Sequence, residues 1–126
     1  VAQKVIKLLG KKGKLSNQSK VLILGFTFKE NCPDTRNTRV VDIYEELKSY
    51  HLQVEIHDPQ ADVQQVKEEY GLDLTPTLQG DDYSAIILAV SHREFKALDW
   101  NTLRGNTAVI YDVKGFLDKK LVDARL

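Results

Sequence analysis

Val21-Leu22-Ile23-Leu24-Gly25-Phe26-Thr27-Phe28-Lys29-Glu30-Asn31-Cys32-Pro33-Asp34-Thr35-Arg36-Asn37 is the stretch on which the fold turns. Its first four residues are a short apolar run between polar flanks, which reads as a strand buried on both faces. The run breaks at Gly25 into a loop longer than usual, where Pro33 steers Cys32 away from helical geometry. From Thr38 on, Val40, Ile43, Tyr44 and Leu47 recur at helical spacing, with Asn37 or Thr38 as the capping residue.

The same alternation continues outward. Val54-Glu55-Ile56 reads as a second strand, and Asp58-Pro59 as a turn or helix start. Val63, Val66 and Tyr70 mark a helix that Gly71 closes at C′. Leu72-Asp73-Leu74 reads as a short edge strand and Thr75 to Gly80 as a short helix or turn. Ala85 to Val90 is another fully buried strand, followed by a helical piece from Arg93 to Leu98. Ala108 to Tyr111 is the fourth main strand, and the tail after Asp112 is turn-like with a brief helix. Upstream, Val1, Val5, Ile6, Leu8 and Leu9 give one apolar helix face, ended by Gly10 and the basic Lys11, Lys12 and Lys14. That helix starts at the first residue without a cap, which fits an element continuing upstream or a complete chain with a frayed end. Strands alternating with helices predict an α/β domain, a Rossmann-like three-layer sandwich with a mainly parallel sheet. The first strand is expected between the Val54–Ile56 strand and the Ala85–Val90 strand.

Composition narrows the function classes. The chain has 126 residues, enough for one domain with its own core, and 42% apolar content is ordinary for a globular protein. Its 18 Lys and Arg balance 18 Asp and Glu, so no bulk field draws it to nucleic acid or an anionic membrane. No apolar run reaches the length of a membrane span. The lone cysteine, Cys32, cannot close an intrachain disulfide, which fits a reducing compartment, and the chain reads as cytoplasmic. The three histidines are scattered without ligand spacing, so no metal site is expected.

In an open parallel sheet, ligands bind beyond the carboxyl ends of the strands, where the strand order reverses. Phe26, Phe28, Lys29 and Arg36 follow the first strand; Ser91, His92 and Arg93 follow the third; Asp112, Lys114 and Gly115 follow the fourth. Lys29, Arg36, Arg93 and Lys114 thus gather on one edge of a neutral chain. Lys29 and Arg36, near a helix start, suit a pyrophosphate, and Phe28 offers a wall or stacking face for a base or sugar. The alternative is that these cations pair with Glu30, Asp34 and Asp112. A dinucleotide fingerprint needs G-x-G-x-x-G after the first strand, and Gly25-Phe26-Thr27-Phe28 departs from it. No P-loop is present either.

The stretch from Gly25 to Thr38 resembles a signature of the UDP-glucose/GDP-mannose dehydrogenase family, above all the branch acting on UDP-N-acetylhexosamines for capsule and O-antigen sugars. The likeness extends through Asp58-Pro59, Tyr83 to Phe95, and Tyr111-Asp112-Val113-Lys114-Gly115-Phe116. The resemblance implies an enzyme that oxidises C6 of a nucleotide sugar from alcohol to carboxylate with NAD⁺, through a cysteine nucleophile in a Gly-Gly-x-Cys segment. It implies three parts: an NAD-binding domain, a central helical region that makes a homodimer, and a C-terminal domain that grips the UDP-sugar. This chain would be the third, with residues 1–15 the tail of the central region and residues 16–126 the UDP-sugar-binding domain. Phe28 and Lys29 match the family's substrate-contacting pair. Arg36 matches an arginine reaching across the cleft to NAD, and Asp34 orients Arg36 or the loop. Lys114 stands near the substrate where relatives often carry arginine; lysine lacks arginine's bidentate fork.

No catalytic residue is expected in this chain, and by itself it is expected to be inactive. Cys32 lies in no glycine-rich segment and reads as structural. His92 reads as a structural or cleft-lining residue, Trp100 as packing, and Asp58 as a cap beside Pro59. Two other classes remain open on residues alone: a flavodoxin- or receiver-like module, although Val21 to Phe26 lacks a receiver's acids, and an interaction domain with a basic edge.

Overall fold

A computed structural model describes residues 1–16, 18–78, 82–105 and 108–126. Five strands form one sheet: β1 (Lys20–Leu24), β2 (Gln53–His57), β3 (Ala85–Leu88), β4 (Val109–Asp112) and β5 (Ala124–Arg125). Their order is β2-β1-β3-β4-β5, and every pair is parallel. The first strand therefore lies between the second and third, as its unbroken apolar run implies. The order reverses between β1 and β3, which fixes the crevice of the sheet there.

Side chains alternate across the strands and build a core on each face. Val21, Ile23, Ala85, Ile87, Val109 and Tyr111 face one cluster, which α1 (Ala2–Lys11), α2 (Val40–Ser49) and α3 (Val63–Tyr70) cover. Leu22, Leu24, Ile86, Leu88 and Ile110 face the other. There they meet Phe95 from a 3₁₀ segment (Arg93–Ala97) and Trp100 and Leu103 from α4 (Trp100–Arg104). Both faces are buried along the central β1, β3 and β4, so those strands read as near-continuous apolar runs. Trp100 is a packing residue, and its indole N–H donates to the Phe95 carbonyl at 2.8 Å. Helix α1 runs through Gly10 rather than stopping there, and it buries Ala2, Val5 and Leu9.

Several boundaries differ from the sequence reading. Helix α2 starts at Val40, later than the Asn37–Thr38 region, because Asn37 takes a left-handed φ of 62° and Arg39 occupies the N-cap. Thr38 still serves the helix end, its hydroxyl accepting from the Val40 N–H at 3.2 Å. Leu72-Asp73-Leu74 is not a strand; this stretch passes β2 and makes its main-chain bond one residue later, from the Thr75 N–H to the Ile56 carbonyl at 2.7 Å. The segment read as a helix or turn from Thr75 to Gly80 lies partly outside the described residues; Pro76 and Thr77 bend. Gly71 closes α3 at φ 69°, as expected. Strand β5 escaped the sequence reading because two residues carry no pattern. Asp123 secures it, its N–H donating to the Ile110 carbonyl at 2.9 Å and its carboxylate accepting from the Ile110 N–H at 2.8 Å.

Candidate functional site

Three adjacent strands deliver polar side chains to the crevice. Chain leaving β1 turns at Gly25, with φ 99°, and the side chain and amide of Val90 fill the space where a Cβ would sit. Thr27 follows from β1, Asp58 from β2 and His92 from β3, and all three are buried. Two amides in succession donate to Asp58 Oδ2: Phe26 N–H at 2.6 Å and Thr27 N–H at 3.1 Å. Oδ1 accepts from Gln60 N–H at 2.8 Å and Ala61 N–H at 3.1 Å, which caps the turn after Pro59. The capping role read from Asp58-Pro59 is therefore half of what Asp58 does.

His92 completes the network. The Asn31 N–H donates to Nδ1 at 2.8 Å, so Nδ1 carries the lone pair and Nε2 the hydrogen. That Nε2–H faces Asp58 Oδ2 and Thr27 Oγ1, each at 3.0 Å. The Thr27 hydroxyl in turn donates to the Lys29 carbonyl at 2.8 Å. Phe95 packs beside the ring, centroids 5.4 Å apart. Burial works against ionisation of Asp58, but the His92 and main-chain hydrogen bonds outweigh it and hold the carboxyl below its ordinary value. A depressed carboxyl stabilises the fold above its unfolded value of about 3.9, and that stability is lost as pH falls through the lower folded-state value. Urea unfolding followed from pH 6 down to pH 3 is expected to show this acid limb, and Asp58→Asn is expected to flatten it.

The loop of residues 25–39 hangs on this network. The Phe28 N–H donates to the Asp34 carbonyl at 2.8 Å and closes a neck around the tip. Asn31 sits at φ 56° and its Oδ1 accepts from the Arg93 N–H at 2.9 Å. On the far side, α3 braces the loop. Tyr70 O–H donates to the Thr35 carbonyl at 2.7 Å, and Thr35 O–H donates to Gln65 Oε1 at 3.1 Å. Tyr70 also meets Phe26 edge-on, with centroids 5.2 Å apart.

The predicted site residues ride on this frame. Phe28 is 48% exposed despite its apolar ring, and Lys29 is exposed beside it with Nζ 5.9 Å from the ring centroid. Arg36 stands at the other end of the same loop. Its Nε and Nη2 donate to the two oxygens of Asp34 at 3.0 and 3.2 Å, and its own N–H adds a third bond at 2.9 Å. These bonds hold the Asp34 carboxyl below its ordinary value. The pair is open to solvent, so it orients Arg36 rather than stabilising the fold. Lys114 belongs to a separate loop, beyond β4, and is exposed. There buried Asp112 accepts from the Lys114 and Leu117 amides at 3.0 and 2.8 Å, with Arg125 Nη2 3.9 Å away. Of the cation pairings open on sequence, Asp34 takes Arg36, while Asp112 engages the Lys114 backbone and Arg125.

Sequence reasoning missed Thr27 and Asn31 and assigned neither Asp58 nor His92 its full part. One signal was available: each of Thr27, Asp58 and His92 closely follows one of three neighbouring strands. Cys32 is a half-buried free thiol. Among the described residues, no group of three or more His, Cys, Asp and Glu is arranged to hold a metal ion. No helix among them is long and apolar enough to cross a membrane.

Residues 22–119 match the model of the UDP-glucose/GDP-mannose dehydrogenase family, UDP binding domain. The whole chain is 44% identical to 30% of a UDP-N-acetyl-D-glucosamine 6-dehydrogenase from Salmonella typhi. It is 41% identical to 31% of the enzyme of the same name from Pseudomonas aeruginosa. The chain thus spans under a third of the length of these relatives. Among solved structures, 98% of the chain superposes on 29% of a UDP-D-ManNAc dehydrogenase from Pyrococcus horikoshii, with TM-score 0.78 at 20% identity, a likeness of fold.

Proposed function

The chain belongs to the UDP-glucose/GDP-mannose dehydrogenase family, and from that premise we propose that it is the nucleotide-sugar-binding part of an NAD-dependent UDP-sugar 6-dehydrogenase. The observation that carries this reading is the braced loop at the crevice, which leaves Phe28 and Lys29 exposed side by side. An apolar ring is held in water there beside a cation, an arrangement that serves a ligand with a flat apolar part and an anionic part. A uridine diphosphate sugar has both. In the whole enzyme, Lys29 would meet the pyrophosphate or sugar, and Lys114 would approach from the loop after β4. Arg36, already turned by Asp34, would reach across to NAD held by a preceding domain.

On this reading residues 1–15 are the tail of a preceding helical region through which the whole enzyme dimerises, and residues 16–126 grip the substrate. The catalytic cysteine and most of the NAD site lie outside this sequence. Cytoplasmic oxidation of a UDP-N-acetylhexosamine for polysaccharide synthesis is the role that fits.

Titration of the ¹⁵N-labelled chain with UDP tests the reading. Amide shifts are expected at residues 26–37, 91–93 and 112–115. Lys29→Ala is expected to weaken UDP binding by about tenfold, the loss of one charge-assisted contact of about 1.5 kcal/mol. Added salt is expected to weaken the unsubstituted chain in the same direction. Shifts confined to the opposite edge of the sheet, or none at millimolar UDP, overturn the assignment. Incubation with NAD⁺ and a UDP-N-acetylhexosamine is expected to yield no NADH, and turnover would overturn the division of labour.

A further inference from the structure

We infer that His92 is the positioning residue of the Phe28–Lys29 loop, acting through a directed chain of hydrogen bonds that ends on the Lys29 carbonyl. The direction of every bond follows from the chemistry of the groups. A main-chain N–H can only donate, so the Asn31 amide makes Nδ1 an acceptor and leaves the hydrogen on Nε2. The Nε2–H points at Asp58 Oδ2 and Thr27 Oγ1. Thr27 can accept from it because its own hydroxyl hydrogen goes to the Lys29 carbonyl. The single Nε2 hydrogen is shared between the Asp58 and Thr27 oxygens, and every other donor has its own acceptor.

The same geometry rules out His92 as an acid or base for a substrate. The residue is 0% exposed, and both ring nitrogens are engaged with protein groups. A base needs a lone pair open to the reactant. What His92 has instead is leverage. Nδ1 holds the loop at Asn31, Nε2–H holds it at Thr27, and these two anchors flank Phe28, Lys29 and Glu30. The Asn31 side chain returns to the Arg93 amide, so three bonds stitch the loop to the chain after β3. An exposed phenylalanine and lysine would otherwise sample many orientations, and the entropy of ordering them would be charged against ligand binding.

The functional half of this inference rests on the loop being the UDP site; the positional half does not. Amide exchange of the Phe28 N–H, which bonds Asp34 and neither His92 nor Thr27, reads loop order, and exchange of the Ile23 amide in β1 reads the sheet. His92→Phe removes both anchors and is expected to speed Phe28 exchange about tenfold or more while Ile23 holds its rate. His92→Gln keeps an N–H donor towards Asp58 and is expected to fall between. Thr27→Val is expected to loosen Phe28 as His92→Phe does, and Thr27→Ser to restore it. Unaltered Phe28 exchange in the variants, or equal acceleration of Phe28 and Ile23, overturns the positional role. If His92→Phe does not fold, the Thr27 pair and the ¹⁵N shifts of the His92 ring in the unsubstituted chain decide. A pyrrole-type nitrogen at Nδ1 instead of Nε2 sinks the inference.

UDP affinity measured on the same variants separates the two claims. Loss of affinity in step with Phe28 exchange is the expected result. No UDP binding by the unsubstituted chain defeats the functional reading and leaves the exchange results to judge His92. Full UDP affinity in a variant with a loosened loop overturns the functional half of the inference.

Discussion

Gly25→Ala is expected to destabilise the fold by about 3–5 kcal/mol in urea unfolding, combining a left-handed residue with overpacking. The backbone there has φ 99°, a region an alanine resists. A Cβ would also lie 2.5 Å from the Val90 Cβ and 2.8 Å from its main-chain nitrogen. Main chain cannot swing aside as a flexible side chain does. The Ala89 and Val90 amides both donate to the Leu24 carbonyl, at 2.9 and 3.3 Å, so relief would pull β1 from β3. A variant whose urea midpoint and slope matched those of the parent chain would contradict this account.

Asp58→Ala is expected to cost a similar amount, about 3–5 kcal/mol, because it strips a buried acceptor from several donors at once. The carboxylate serves Phe26, Thr27, Gln60 and Ala61 N–H groups together with His92. Asp58→Asn keeps the shape but turns an NH₂ towards N–H donors, so only part of the loss is expected to return. The two substitutions should differ with pH. The Asp58→Ala deficit is expected to shrink as the parent carboxyl protonates in acid, whereas the Gly25→Ala deficit, being steric, should persist. Equal pH profiles in urea unfolding would show that the Asp58 charge is not what holds the crevice.

The parts of the fold legible in the sequence are those governed by one strong local pattern. Val21–Leu24 and Ala85–Leu88 are apolar on both faces because layers cover both sides, and that burial is written directly in the residues. Gly71 follows from its left-handed cap. Elements without such a pattern stayed hidden. Ala124–Arg125 pairs with β4 because Asp123 bonds to Ile110, a contact between distant residues. Leu72-Asp73-Leu74 alternates like a strand, but the bonds to β2 come one residue later, all through Thr75.

The site divides in the same way. Phe28, Lys29 and Arg36 stand out because such residues in one loop call for a ligand. Thr27, Asp58 and His92 are ordinary residue types whose meaning appears only when three strand ends converge. Asp34 lies between these cases: its nearness to Arg36 is sequential, so an orienting part was readable, while the bidentate grip needed coordinates.

The two rims of the sheet are each partly closed. At one rim β5 offers only two residues, and at the other the Thr75 amide already occupies the Ile56 carbonyl. A neighbouring copy finds a shortened ribbon on which to continue the pleat, which disfavours growth of the sheet from molecule to molecule. Association between folded copies is thereby turned towards side-chain surfaces rather than the rims of the sheet.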